Sequence, residues 1–126
     1  MYIFWKPGEY TVNRNRLTPN EWKEWGYRQI WEIASVRAND IHPAMFPLEL
    51  ARRVIKLYTD NGDIVLDPFL GSGTTAIAAI QTNRYFIGIE LVEKYAKLAQ
   101  KKISTEIEKA HNLFDNISEY KNYNVV

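Results

Sequence analysis

Two carboxylates, Asp67 and Glu90, stand 23 residues apart, each closing a short run of β-branched or aromatic residues. Between them lies Gly71-Ser72-Gly73-Thr74-Thr75, whose glycines let a backbone approach a ligand closely or take positive φ. Where such a segment opens a helix, the first N–H groups are free for a carboxylate or phosphate, and the two threonines add hydroxyls at that end. An acid closing the second strand is placed to accept hydrogen bonds from both hydroxyls of a ribose. Taken together, these residue types hold a nucleoside with a charged substituent. Taken singly, each has a plainer role: a glycine-rich turn punctuates many strand–helix junctions, and a terminal glutamate can simply face water. Their common register favours the ligand.

The elements that must position these groups are legible from periodicity. Asp63 to Asp67 is a β-branched run that breaks at Pro68, and Thr74 to Gln81 reads as a compact helix. Asn83-Arg84 turns the chain, and Tyr85 to Glu90 reads as a second buried strand. From Glu93 to about Ala110, the residues Ala96, Ala99, Ile103, Ile107 and Ala110 share one helical face. Strand, helix, strand, helix over 63–110 predicts an α/β fold: a parallel sheet with right-handed crossovers, half of a doubly wound architecture. Ligands in such sheets bind at the carboxyl ends of the strands, where Asp67 and Glu90 fall. Upstream, Leu48, Ala51, Val54, Ile55 and Tyr58 predict a helix over 47–59, ended by Asp60-Asn61-Gly62. Thr18-Pro19-Asn20-Glu21 forms a capping-box pattern and predicts a helix over about 18–26. Alternation through Ile30-Trp31-Glu32-Ile33 predicts a strand over Tyr27 to Ala34, and 35–46 reads as a connecting loop.

Composition narrows the classes. The chain has 126 residues, 46% of them apolar and 25% charged, the balance of a soluble globular domain. Sixteen basic against fifteen acidic residues leave a net charge of +1, so any nucleic acid must be held by local groups. No apolar run approaches a membrane span, no signal-peptide pattern opens the chain, and a cytoplasmic location is expected. The absence of cysteine excludes disulfides and thiolate metal sites. All four tryptophans, Trp5, Trp22, Trp25 and Trp31, fall in the first 31 residues. They offer either base-stacking surface or packing. Arg14, Arg16, Lys23 and Arg28 are candidate phosphate contacts, diluted by Glu9, Glu21, Glu24 and Glu32. The lysines at 94, 97, 101 and 102 read as a solvated helix face.

The dinucleotide fingerprint Gly-x-Gly-x-x-Gly is not met, since Gly71 and Gly73 are followed by Ala76 and preceded by Asp67-Pro68-Phe69; no Gly-Lys-Ser/Thr P-loop is present. Asp67-Pro68-Phe69-Leu70-Gly71-Ser72-Gly73-Thr74-Thr75 instead resembles motif I of the S-adenosylmethionine-dependent amino-methyltransferases of DNA, which modify adenine N6 or cytosine N4 and include restriction-modification enzymes. His42-Pro43-Ala44-Met45-Phe46-Pro47, with Leu50 and Arg53-Val54-Ile55, resembles their motif X. Arg84 to Leu91 resembles their second strand with its ribose acid. The resemblance is strong over about 27–103 and looser ahead of it. It implies a partial Rossmann-like methyltransferase fold with an aromatic-rich front extension. It also implies that Asp67, Phe69 and Gly71, Ser72, Gly73 and Thr74 meet the methionine side of S-adenosylmethionine. Glu90 would take the ribose, Leu91 would lie near the adenine, and His42 to Phe46 would help close the methionine side. No metal is required, because the sulfonium methyl is already activated and the protein need only align an amine with it.

The same resemblance marks what the sequence lacks. These enzymes hold the flipped base through an Asp, Asn or Ser followed by Pro-Pro and an aromatic residue. The five prolines, Pro7, Pro19, Pro43, Pro47 and Pro68, form no Pro-Pro pair. No catalytic residue is therefore assigned, and the chain resembles the C-terminal half of the beta group of these enzymes. Residues 1–40 would end a target-recognition region or face a partner, 41–110 would form the cofactor-binding half, and 111–126 a tail. Two parallel strands are too few for an independent sheet, so a complementary chain or self-association is expected, with DNA as substrate. The competing readings are a non-enzymatic module that binds S-adenosylmethionine or DNA, and a truncated remnant.

Overall fold

The computed structural model describes residues 7–8, 13–35, 46–113 and 124–125, with side chains as far as residue 110. The front segment begins with a tight turn over Arg14–Arg16 and a short helix α1, Pro19–Glu21. The capping box forms as expected: Thr18 Oγ1 accepts the Glu21 N–H at 3.2 Å, and the Glu21 carboxylate accepts the Thr18 N–H at 2.9 Å. The helix then widens into a π-turn over Trp22–Gly26, seating the Trp22 ring against Gly26, where a Cβ would lie 2.5 Å from it.

The strand expected over 27–34 does not form; residues 27–35 are irregular. The Trp31 indole N–H donates to the Trp25 carbonyl at 2.8 Å, and the two rings meet edge to face at 5.6 Å. The Arg53 guanidinium lies 5.3 and 5.8 Å from the same rings. The alternation of large side chains thus serves packing against a helix and not a strand ladder. Most of the loop expected over 35–46 falls outside the described residues, His42 with it.

Helix α2 spans Leu48–Tyr58, buries Ala51 and Ile55, and is followed by Gly62 at φ +83°. Strand β1, Ile64–Asp67, helix α3, Thr74–Gln81, strand β2, Tyr85–Gly88, and helix α4, Glu93–Leu113, follow in order. β1 and β2 are parallel, with Ile64 opposite Tyr85 and Asp67 opposite Gly88. The β2 ladder stops two residues short of Glu90, which stands beyond the strand rather than on its last position. The stretch read as a tail also carries structure: α4 runs to Leu113, and β3, Asn124–Val125, pairs parallel with β2. The sheet order is β1-β2-β3.

One core holds these elements together. Ala51 and Ile55 of α2, Ala76, Ala78, Ala79 and Ile80 of α3, and Ala99 and Ile103 of α4 pack with Leu70 and Phe86. The alanines of α3 let both flanking helices approach closely, and the cluster covers the sheet face of Val65 and Phe86.

The junction between α2 and β2 is locked by a buried cation. Arg84 is 4% exposed. Its guanidinium donates to Thr59 Oγ1 at 3.0 Å, the Thr59 carbonyl at 2.6 Å, Asn61 Oδ1 at 2.6 Å and the Thr82 carbonyl. Replacing Arg84 with methionine keeps the stem but leaves these acceptors unsatisfied, and the expected loss is about 2–4 kcal/mol of stability. Urea unfolding checks it; an unchanged midpoint would show that water replaces the guanidinium without penalty.

Candidate functional site

The chain leaves β1 at Asp67 and turns through Pro68. Asp67 Oδ1 accepts the Phe69 N–H at 2.9 Å. The Ile89 N–H donates to the Asp67 carbonyl, and the Leu70 N–H to the Ile89 carbonyl, each at 2.9 Å. The loop is thereby stitched to the ends of both strands. Leu70, 5% exposed, packs over Gly88, where a Cβ would lie 2.5 Å from its Cδ2.

Gly71 and Gly73 take left-handed φ values of +56° and +90°, a conformation costly for residues with a Cβ. Gly73 also backs onto α4, with a Cβ placed 3.3 Å from Ala99 Cα. It is the N-cap of α3 and brings no side-chain cap, so the first-turn N–H groups are open to an external acceptor. Glu90 faces this loop. Its Oε2 accepts the Gly71 N–H at 2.7 Å and its Oε1 accepts the Val92 N–H at 2.8 Å. A carboxylate has about four acceptor positions, so two remain for a ligand's hydroxyls.

The structure therefore brings Asp67, Gly71, Ser72, Gly73, Thr74 and Glu90 together at the carboxyl ends of β1 and β2. Ser72 is buried, while Asp67, Thr74 and Glu90 are half-buried. Phe69 and Leu91, 87% and 97% exposed, offer apolar surface beside the same strand ends. Phe46, two residues ahead of α2, is exposed and is not among the residues that assemble the loop. His42 lies outside the described residues. Sequence reasoning missed Leu70 and Gly88. The signal for them is a large apolar residue inside a small-residue loop and a glycine inside a buried strand, which marks a close approach.

The front segment is fixed to the core by charge. Arg16 donates to both Asp60 oxygens, at 3.0 and 2.9 Å, and to the Leu57 carbonyl at 3.3 Å. Asn13 adds a bond to Asp60 at 2.7 Å, and Lys56 pairs with Glu21. Arg16 thus holds the fold together instead of facing a phosphate, whereas Arg14, Lys23 and Arg28 are exposed. Trp25 is buried, and the Trp22 indole N–H donates to the Arg14 carbonyl at 2.8 Å, so packing accounts for the described tryptophans. A basin of about 840 Å³ lined by Arg16, Arg52, Lys56, Asp60 and Arg84 lies at the amino-terminal side of the strands, away from the glycine loop.

These clamps are acid-sensitive. Burial pushes the Glu21 carboxyl up, but hydrogen bonds from Lys56 and Thr18 outweigh it and hold the group below its ordinary 4.5. Hydrogen bonds from Arg16, with a smaller one from Asn13, hold Asp60 below its ordinary 3.8. Depressed values in the folded state mean that the stabilisation is complete above the ordinary carboxylate range and lost as pH falls through the depressed values. Tryptophan emission should therefore shift to the red on acidification below about pH 4 before the helical circular dichroism falls. Emission that changes only with the helical signal would show that the clamps contribute nothing separate.

Among the described residues no group of three histidine, cysteine or acidic side chains could hold a metal, and no helix is long and apolar enough to cross a membrane. Comparison with known proteins then decides the family: residues 1–101 match the family model described as DNA methylase. The chain belongs to the DNA methylase family. This DNA methylase chain is 56% identical over 105 residues to the type II methyltransferase M.BglI of Bacillus subtilis, covering 83% of this chain and 30% of M.BglI. It is 38% identical over 98 residues to the type II methyltransferase M.BglII of the same species, covering 75% and 27%. Among solved structures it resembles TTHA0409 of Thermus thermophilus, assigned as a DNA modification methylase and solved in complex with S-adenosyl-L-methionine. That likeness has a TM-score of 0.61 and 41% identity, covering 81% of this chain and 41% of TTHA0409. The chain thus spans under a third of the length of these curated relatives. The α/β architecture with a small parallel sheet agrees with a partial Rossmann-like methyltransferase fold.

Proposed function

We propose that the loop between β1 and α3, together with Glu90, binds S-adenosylmethionine, and that the chain is the cofactor-binding portion of a site-specific DNA methyltransferase. The target is an exocyclic amine, adenine N6 or cytosine N4. The observation that carries this reading is the Glu90 carboxylate, held by two backbone amides with two acceptor positions left over, facing a loop of left-handed glycines. The group fits these residues. Glu90 takes the ribose hydroxyls, Leu91 lies along the adenine, and Asp67, Phe69 and Gly71, Ser72, Gly73 and Thr74 surround the methionine part. By the family resemblance alone, His42 and Phe46 would help close that side. TTHA0409, whose structure contains the same cofactor, supports the reading.

When bound, the cofactor supplies a methyl group already activated on a sulfonium. This chain's residues fix its orientation, so that an incoming amine meets the methyl in line. No residue here takes the part of base holder: the sequence has no Pro-Pro pair, and Asp67-Pro68-Phe69 is committed to the glycine loop. Methyl transfer therefore needs an Asp, Asn or Ser-Pro-Pro-aromatic motif from outside these 126 residues, such as a complementary chain would bring. Residues 41–110 form the cofactor half, 1–40 the end of a recognition region or a partner-facing segment, and 111–126 a tail that adds β3.

Titration calorimetry of S-adenosylmethionine into the purified chain tests the reading. Micromolar binding, about −8 kcal/mol, is expected. A sample with intact helical circular dichroism and no binding heat at any of several temperatures would overturn it.

A further inference from the structure

Helix α4 meets the candidate site at two places. Its first turn starts from the clip on Glu90: the Glu90 Oε1 accepts the Val92 N–H at 2.8 Å, and the Val92 carbonyl accepts the N–H groups of Tyr95 and Ala96 at 2.8 and 3.0 Å. Ala99, two turns further on and about 10 Å along the axis, backs onto the glycine loop. The three atoms nearest to a Cβ built on Gly73 all belong to Ala99: Cα and Cβ at 3.3 Å and the carbonyl oxygen at 3.7 Å. Gly73 is buried, and Ala99 has no exposed surface. The two backbones therefore meet directly, which only a glycine at 73 and a small residue at 99 permit.

The loop closes the path back to the acid. The Gly73 N–H donates to the Leu70 carbonyl at 3.0 Å, so residues 70–73 form one tight turn, and the Gly71 N–H inside that turn donates to Glu90 Oε2 at 2.7 Å. Glu90, Val92, Ala99, Gly73 and Gly71 thus form a ring with α4 as its longest side. A shift at one contact is passed to the others, because a close-packed interior transmits displacement instead of absorbing it. Gly73 is also the N-cap of α3, so its position fixes that of the open N–H groups in the first turn. Ile103, one turn beyond Ala99, serves the core; Ala99 serves the core and the loop at once.

We infer that α4 sets the distance between Glu90 and the amino end of α3, and that Ala99 is the positioning residue through which it does so. The size of the side chain at 99 then tunes affinity for a ligand that this side chain never touches. The identity of that ligand, S-adenosylmethionine, rests on the proposed function. There Glu90 takes the ribose and the loop takes the methionine part, so a change in their separation misplaces one end of the cofactor whenever the other is seated. A larger residue at 99 has no free volume to enter and must push Gly73 or tilt α4. Either movement alters the separation.

Calorimetry with S-adenosylmethionine and amide NMR spectra of the cofactor-free chain test this in three variants. Ala99→Val enlarges the side chain at the contact. Ile103→Val removes a methyl group from the same core and controls for stability alone. Ala99→Cys adds a single heavy atom and keeps the measurement open should the valine variant not fold. Binding is expected to weaken at least about tenfold in Ala99→Val, about threefold in Ala99→Cys and less than about twofold in Ile103→Val. In the variants at 99 the amide resonances of Gly71 and Val92 should move along with that of Gly73. Wild-type affinity in whichever variants at 99 fold, equal losses at 99 and 103, or shifts confined to the neighbours of residue 99 overturn the inference. The wild-type titration reads the proposed function by itself: absence of binding there sinks the cofactor reading, while the Gly71 and Val92 resonances still decide whether Ala99 positions the loop.

Discussion

Replacing Glu90 with glutamine is expected to weaken S-adenosylmethionine binding by roughly 100-fold or more. Two effects combine. Hydrogen bonds from the ribose hydroxyls to a charged acceptor contribute about 1.5–3 kcal/mol each, and the amide accepts through one oxygen only. The second effect is on the loop itself, because the Gly71 and Val92 N–H groups now share the two carboxylate oxygens. With glutamine, one of them faces an NH₂ group and loses its partner. The substitution therefore removes affinity partly by loosening the loop that must be in place when the ligand arrives. Calorimetry alongside a thermal melt separates the two, since the loop contribution appears in both measurements and the ribose contribution only in the first. A folded variant with wild-type affinity would mean that the ribose is held elsewhere.

The second large effect concerns turnover. Incubated alone with DNA and labelled cofactor, the chain should transfer no methyl group above background. Addition of a complementary chain carrying the Pro-Pro-aromatic motif should restore transfer. The contrast is expected to be large because positioning the amine in line is the main service the protein provides; for well-oriented groups such positioning is worth about 7–11 kcal/mol. Transfer by the chain alone would show that residues outside the known pattern hold the base. An inert mixture in which both chains are folded and associated would show that the missing motif is not what limits activity.

The α/β core was open to sequence reasoning because its signals are local and agree with one another. The apolar spacing of Leu48 to Tyr58, the β-branched run before Pro68 and the alanine-rich segment after Gly73 each specify one element, and each forms within a residue or two of expectation. The loop glycines were legible as letters and do take left-handed φ, whereas Glu90, read as the last residue of the second strand, stands two residues beyond β2. The aromatic stretch after Tyr27 was misread for a physical reason. Alternation of large residues satisfies a strand only if a neighbouring strand is present, and here the nearest surface is α2, where Arg53 sits over Trp25 and Trp31. The clamp between Arg16 and Asp60 joins residues 44 positions apart, beyond the reach of any periodicity. Strand β3 was hidden because two residues paired to β2 make no pattern of their own.

Leu70 resting on the bare backbone of Gly88 bears on how the site responds to a ligand. Loops that order only on binding spend part of their ligand's interaction energy on lost conformational freedom, on the order of 1–2 kcal/mol for each backbone residue that is fixed. Here the side chain from the middle of the loop already fills the gap left by the absent Cβ, and the backbone on either side is bonded to the strand ends. The ordering cost falls on folding, before any encounter. Affinity at this site should thus depend on the chemistry of the groups presented and only weakly on the temperature-dependent entropy of loop closure.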